Sequence, residues 1–149
     1  MAINHDGLGR ETPWAETVVT QEQIGALCDA LEDDLPLFGD PAVAAASAYG
    51  GIVAPPTFIN VFRRAKTELL LGALEVDLPK LLHGEQEIVY YAPLRPGDRV
   101  RHRIKIVEVG RKKSRTYGEL DYFTVLITVK NREDQKLVEA RQRFFVREG

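Results

Sequence analysis

With 149 residues, 44% of them apolar and 28% charged, the chain suits one soluble domain, 1–149, with room for a substantial core. A net charge of −2 excludes nucleic-acid binding through overall basicity, and the single cysteine, Cys28, excludes an internal disulfide and fits a reducing cytoplasm. No stretch approaches the ~20 apolar residues that span a bilayer and no signal peptide opens the chain, so neither a membrane nor a nucleic acid is expected as a partner.

Residues 1–13 are polar and read as a loose arm or a segment laid over a neighbour, with His5 as an ordinary surface histidine. Trp14–Val19 has the composition of a short strand. Thr20 and Gln23 form a capping box, each satisfying the other's orphan amide. Ile24, Leu27, Cys28 and Leu31 follow at i, i+3, i+4 and i+7, which predicts a helix with one buried face and makes Cys28 a packing residue. Asp40-Pro41 predicts an N-cap with proline at the first helical position, opening a short Ala-rich helix through Ala48.

The stretch Ser47–Arg64 organises the chain. Gly50-Gly51 permits backbone conformations closed to other residues, and Pro55-Pro56 removes two donors and holds the chain extended. Phe58, Ile59, Phe62, Ala65, Leu69 and Leu70 then fall near helical spacing, with Thr57 as N-cap and Gly72 as a stop. This predicts one long helix, apolar on more than one side. Val76–Leu82 reads as a connector broken by Pro79.

From Gly84 onward the period is two. Gln86–Tyr91, Arg99–Val109, Leu120–Val129 and Leu137–Val146 read as long antiparallel strands, with Pro93–Asp98 and Asn131–Gln135 as turns and Gly110–Thr116 as a basic loop. Val100, His102, Ile104 and Ile106 share one strand face; Arg99, Arg101, Arg103 and Lys105 share the other. His102 is therefore a satisfied core or interface histidine. Helices followed by strands argue for an α+β fold with the long helix packed on one face of the sheet. Apolar strands such as Phe123–Val129 also predict association through an exposed strand edge and the central helix.

Three motifs now carry a resemblance. Tyr49–Phe58, Leu82-His-Gly-Glu-Gln-Glu87 and Tyr91-Ala-Pro-Leu-Arg-Pro-Gly-Asp98 resemble the amino-terminal type of MaoC-like dehydratase domain, in the right order and over about Trp14 to Arg147. The resemblance implies a hot-dog fold, an antiparallel sheet wrapped round one long helix. It also implies edge-to-edge pairing of like or unlike halves, with acyl thioesters bound at the junction. Such relatives hydrate enoyl thioesters, or dehydrate (3R)-hydroxyacyl ones, on coenzyme A or acyl carrier protein.

Hydration needs a water held by a base, a group to orient it, and donors for the enolate-like thioester oxygen. Active relatives supply the first two from Gly-Asp-x-Asn-Pro-(aliphatic)-His and the third from a glycine amide in Ala-His-Gly. This chain keeps Asp33 and Pro36, but Leu35 stands at the asparagine position and Phe38 at that of the catalytic histidine. Pro55-Pro56 replaces His-Gly, and Pro56 has no N–H to donate. Two catalytic elements are missing for separate reasons, so the isolated chain is expected to be inactive.

The resemblance implies the acyl-thioester-binding subunit of an (R)-specific hydratase or (3R)-hydroxyacyl dehydratase. Its partner would be a second hot-dog subunit carrying the intact Asp/His motif, in a heterodimer or heterotetramer; a homodimer is the other arrangement. Tyr49, Gly50, Gly51, Pro55, Pro56, Thr57, Phe58 and Phe62 are the candidate acyl-binding residues, some of them equally readable as core. Asp33 is either a remnant acid or a structural carboxylate, and His83 either contacts ligand or makes ordinary hydrogen bonds. Arg111, Lys112, Lys113 and Arg115 are either solvated or recognise phosphate or an acidic carrier protein. No cofactor and no metal is expected beyond the carrier of the substrate. Two other readings stay open. One is a hot-dog acyl-CoA thioesterase with Asp33 or Glu85 as base; the other is a non-catalytic scaffold. Glu85 and Glu87 alternate with Gln86, so they cannot share its face.

Overall fold

The computed structural model describes residues 2–63 and 67–149, with Arg63 described in its backbone only. Among them, five strands form one antiparallel sheet in the order β1-β3-β4-β5-β2. They are β1 (Ala15–Val18), β2 (Leu81–Tyr90), β3 (Arg99–Ser114), β4 (Gly118–Lys130) and β5 (Lys136–Arg147). The helices are α1 (Gln21–Leu31), α2 (Pro41–Ala46), α3 (Asn60–Arg63) and α4 (Thr67–Ala73).

The period-two stretches form the sheet because their apolar sets all face one way. Val100, His102, Ile104 and Ile106 are buried, while Arg101, Arg103 and Lys105 lie on the opposite, convex face. Phe58, Ile59, Phe62, Leu70 and Leu74, from the helical stretch, pack with Ile104, Phe123, Val125, Ile127 and Phe144 from the sheet in one core. The sheet thus wraps a helical segment, as the resemblance implies. Phe58 and Phe62 meet edge to face with centroids 5.7 Å apart.

The capping box is present: Thr20 Oγ1 accepts from Gln23 N–H, and Gln23 Oε1 accepts from Thr20 N–H. Asp40 caps α2 through the N–H groups of Ala42 and Val43. α1 and α4 both close with a 6→1 and a 5→2 hydrogen bond around a left-handed glutamate, Glu32 at φ 53° and Glu75 at φ 54°. Gly72 is therefore not the stop; α4 runs past it to Ala73.

Other expectations need correction. The central helix opens as a 3-10 turn, Pro56–Ile59, with Pro55 at its N-cap and no side-chain cap, so Thr57 lies inside the turn. Whether the helix is continuous falls on Arg64, Ala65 and Lys66, outside the described residues. β2 starts at Leu81, with a register shift between His83 and Glu85. The expected basic loop is strand: β3 runs to Ser114 and pairs through Lys113 with Glu119. Phe123–Val129 is interior, in β4 between β3 and β5, so it offers no edge.

The arm before β1 is not loose. Asn4 N–H donates to Leu74 C=O at 2.8 Å, and Gly9 and Thr12 N–H donate to Ile106 and Ile104 C=O. Ile3 is buried in the core, and Gly7 leaves no space for a side chain beneath Leu74. His5 is no ordinary surface residue either. Its Nε2 is buried 3.8 Å from Asp121 Oδ1.

Candidate functional site

Three segments meet beside the Tyr90 end of β2: the turn Pro36–Phe38, the loop from Tyr49 to Pro56, and residues Tyr90–Pro93. Each is tied by its backbone. Gln21 Nε2 donates to Phe38 C=O at 3.0 Å, and Ala54 N–H donates to Leu94 C=O at 2.8 Å. Tyr90 Oη donates to Pro56 C=O at 2.6 Å. Arg95 Nη2 donates to Tyr49 C=O at 2.6 Å, while Arg95 N–H bonds Asp98 Oδ2. Between them lies a groove of about 500 Å³ whose walls include Phe38, Tyr49, Val53, Ala54, Pro56 and Tyr90. Apolar walls with a few fixed polar atoms suit a hydrocarbon chain.

The groove holds little that can do acid–base chemistry. Phe38, which the resemblance aligns with the motif histidine, is only 7% exposed. Pro56 presents a carbonyl already held by Tyr90, and no N–H. Burial pushes the Tyr90 phenol up to about 12, so it keeps its proton into the alkaline range where a free phenol loses it.

Of the expected acyl-binding residues, Tyr49 and Pro56 line the groove. Pro55 is buried behind it, and Thr57 is exposed on the 3-10 turn. Gly50 adopts φ 68°, and a Cβ on Gly51 would meet Arg95 rather than the groove. Phe58 and Phe62 face the core, where Phe62 packs on the His102 ring with centroids 4.8 Å apart. His102 is held by Thr17 Oγ1 at 3.0 Å. A separate cavity of about 310 Å³ lies between α4 and the sheet, among Leu70, Leu71, Leu81, Phe123 and Phe144. It shares no lining residue with the groove.

The candidate acids and bases are dispersed. Asp33 accepts from Leu35 N–H at 3.1 Å, as in an Asx turn, and lines an acidic hollow with Asp29, Asp34 and Asp40 on the other side of Phe38. Cys28 lies in that hollow; burial, then Asp33 and Asp29, push its thiol up, which keeps it protonated. His83 stacks on Phe144 at the sheet edge, with ring centroids 4.8 Å apart. Glu85 lies on the convex face 3.7 Å from Arg143, which bonds Glu108 at 2.6 Å. That bond, chiefly, holds the Glu108 carboxyl below its ordinary range.

The four basic residues lie at the other end of the sheet. Arg111 is level with Asp121, Val146 and Leu81, whereas the groove adjoins Tyr90, level with Val138. Nine steps along β2 separate the two levels, roughly 30 Å. Arg111 is engaged by Glu119 at 3.1 Å and by Glu148, and Lys112 lies over the Phe145 ring. Lys113 and Arg115 are exposed. Sequence reasoning missed Val53, Ala54, Tyr90 and Tyr91 as groove residues. The one available signal was an aromatic pair ending a strand just before Pro93.

Among the described residues no helix is long and apolar enough to cross a membrane, and no group of His, Cys, Asp or Glu is placed to hold a metal. Residues 7–140 match the family described as FAS1-like, dehydratase domain region. Over 112 residues the chain is 38% identical to a UPF0336 protein of Thermobifida fusca, covering 73% of this chain and 74% of that one. The HadBC (3R-hydroxyacyl-ACP dehydratase) complex of Mycobacterium tuberculosis superposes with a TM-score of 0.76 at 22% identity, over 93% of this chain and 96% of the matched one. A MaoC-like dehydratase from Rhodospirillum rubrum gives 0.64 at 18% identity, over 95% and 93%. At these identities the two structures speak for the fold.

Proposed function

Because the chain belongs to the FAS1-like dehydratase-region family and has the hot-dog fold of MaoC-like dehydratases, we propose that it is the acyl-thioester-binding, non-catalytic half of a hydratase or dehydratase. The observation that carries this reading is the pairing of an intact apolar groove with Phe38 and Pro56 in place of the base and the amide donor. A lost oxyanion donor costs on the order of a hundredfold in rate. A lost general base costs about a hundred to ten thousandfold more.

In this mechanism the partner hot-dog subunit holds the water on its intact Asp/His motif and supplies the oxyanion donor. This chain lays the acyl group against Val53, Ala54, Pro56 and Phe38 and excludes bulk water from it. The Tyr90 hydrogen bond fixes the Pro56 turn, so the wall is set before substrate arrives. The thioester is carried by coenzyme A or an acyl carrier protein, and no further cofactor takes part. The HadBC complex, a 3R-hydroxyacyl-ACP dehydratase by name, supports the pairing.

The test is hydration of crotonyl- and longer enoyl thioesters by the purified chain alone, and after mixing with a hot-dog chain that carries the intact motif. The chain alone gives no turnover and the mixture does. Turnover by the isolated chain at rates ordinary for enzymes contradicts the proposal.

A further inference from the structure

We infer that the β2 edge selects its partner by charge. It accepts a hot-dog subunit whose own edge strand carries lysine or arginine on the convex face, and it refuses a second copy of this chain. The inference rests on the pairing proposed above and names the chemistry of the partner.

β2 is the outermost strand, paired on one side with β5 and with no described strand on the other. Its middle residues, His83–Glu87, are five exposed positions in succession. An open edge of this kind is a template for another strand. Register decides which side chains a newcomer meets. Gln86 is level with buried Gln142, whose Nε2 donates to Gln86 Oε1 at 2.8 Å, so Gln86 lies on the concave side of the sheet. Glu85 and Glu87 therefore both face the convex side, level with Arg143 and Arg141.

Each carboxylate has an arginine level with it on β5, but on the open side of β2 nothing described meets either. Glu85 is 65% exposed and reaches Arg143 only at 3.7 Å. Glu87 is exposed, with no ion pair among the described residues, and β2 contains no lysine or arginine. Two copies joined antiparallel through β2 share a two-fold axis. An axis at Gln86 sets Glu85 against Glu87 of the partner subunit, twice. An axis at Glu85 or Glu87 sets that glutamate against its own copy. Directly opposite side chains lie ~5 Å apart, where like charges repel. A strand bearing cations at those positions meets the same carboxylates with attraction, and the charges also speed and orient the encounter. The neighbouring surface is apolar: Val89 is 40% exposed and Tyr91 59%, continuous with the groove. Apolar area for association is thus present, and charge decides with whom.

The experiment uses the whole chain and its charge-reversed copy, E85K/E87K, by sedimentation velocity at about 50 mM salt, where screening is weak. Each alone sediments as a monomer, and the equimolar mixture sediments as a pair. Raising salt to about 0.5 M weakens the pair by roughly tenfold or more. E85Q/E87Q, a gentler change, pairs with itself where the wild type does not, and it carries the test if the reversed copy misfolds. A wild-type dimer at low salt, or a mixture and a Gln variant that stay monomeric, overturns the inference. Neither result touches catalysis: the inactivity of the chain alone and its rescue by a catalytic partner are measured separately.

Discussion

At the β3 side of the sheet, chain covers chain. The arm residues Gly9–Thr12 and then β1 lie along β3, bonded to Ile106 and Ile104 and then in register with Arg99–His102. Ile3 is inserted in the core, and Asp121, 0% exposed, accepts the N–H groups of Ala2 and Ile3. Trp14 lies beneath Arg101, Arg103 and Lys130, with distances of 5.2, 4.6 and 5.4 Å to its centroid. At the β2 side nothing described covers the strand, and the apolar groove opens beside its end. One edge is closed by the chain's own residues; the other is open among the described residues and is the one the proposal gives to a partner and a ligand. Substitutions at the closed edge should therefore cost stability, and substitutions at the open edge should change association and specificity.

The largest effect is expected where the arm meets the core. Leu74→Ala removes a fully buried side chain that fills the space above Gly7. It should destabilise by about 2–5 kcal/mol, read from urea unfolding. Asp121→Asn comes next. It weakens the acceptor of two arm amides, and Arg111 at 3.7 Å loses a countercharge. A loss of about 1–3 kcal/mol is expected, with proteolysis appearing first in the arm. An unchanged arm would mean that the Leu74 and Ile106 contacts suffice to hold it.

The smallest change in stability is expected at the groove. Tyr90→Phe deletes the bond to Pro56 and should cost about 0.5–1.5 kcal/mol. It also has a pH signature. The folded phenol is pushed up to about 12, whereas in the unfolded chain it ionises near 10. The unfolded state therefore gives up its proton first, and wild-type stability falls as pH rises from about 10 to about 12. The Phe variant should lack that component. Equal alkaline slopes in the two proteins would show that the phenol is not held neutral in the fold.

Much of this was legible in the sequence because it depends on local chemistry. Period-two burial in Arg99–Val109, the Thr20/Gln23 capping box and the Asp40-Pro41 helix start are all decided within a few residues. Phe38 and Pro56, which the motifs singled out as replacing catalytic groups, line one groove in the fold. What escaped depends on contacts distant in the chain. The arm reads as loose because its anchors, Leu74, Ile106 and Asp121, lie about 70 to 120 residues away. Gly110–Thr116 reads as a loop because its charges mask strand pairing with Glu119–Tyr122. Phe58 and Phe62 read equally as tunnel or core, since a helical spacing does not say which face meets the sheet. Tyr90 enters the site only through a bond to Pro56, 34 residues earlier.

In the proposed arrangement this chain shapes the acyl site while its partner performs the chemistry. Ala54→Leu tests it most directly, because Ala54 lines the groove and touches none of the groups assigned to catalysis. The measurement is kcat/KM of the reconstituted pair for a long and a short enoyl thioester. The variant should fold and assemble normally, turn over the short substrate nearly unchanged, and show a long-to-short ratio lowered about tenfold or more. An unchanged ratio in a normally assembled pair would contradict this arrangement and leave this chain outside the acyl site.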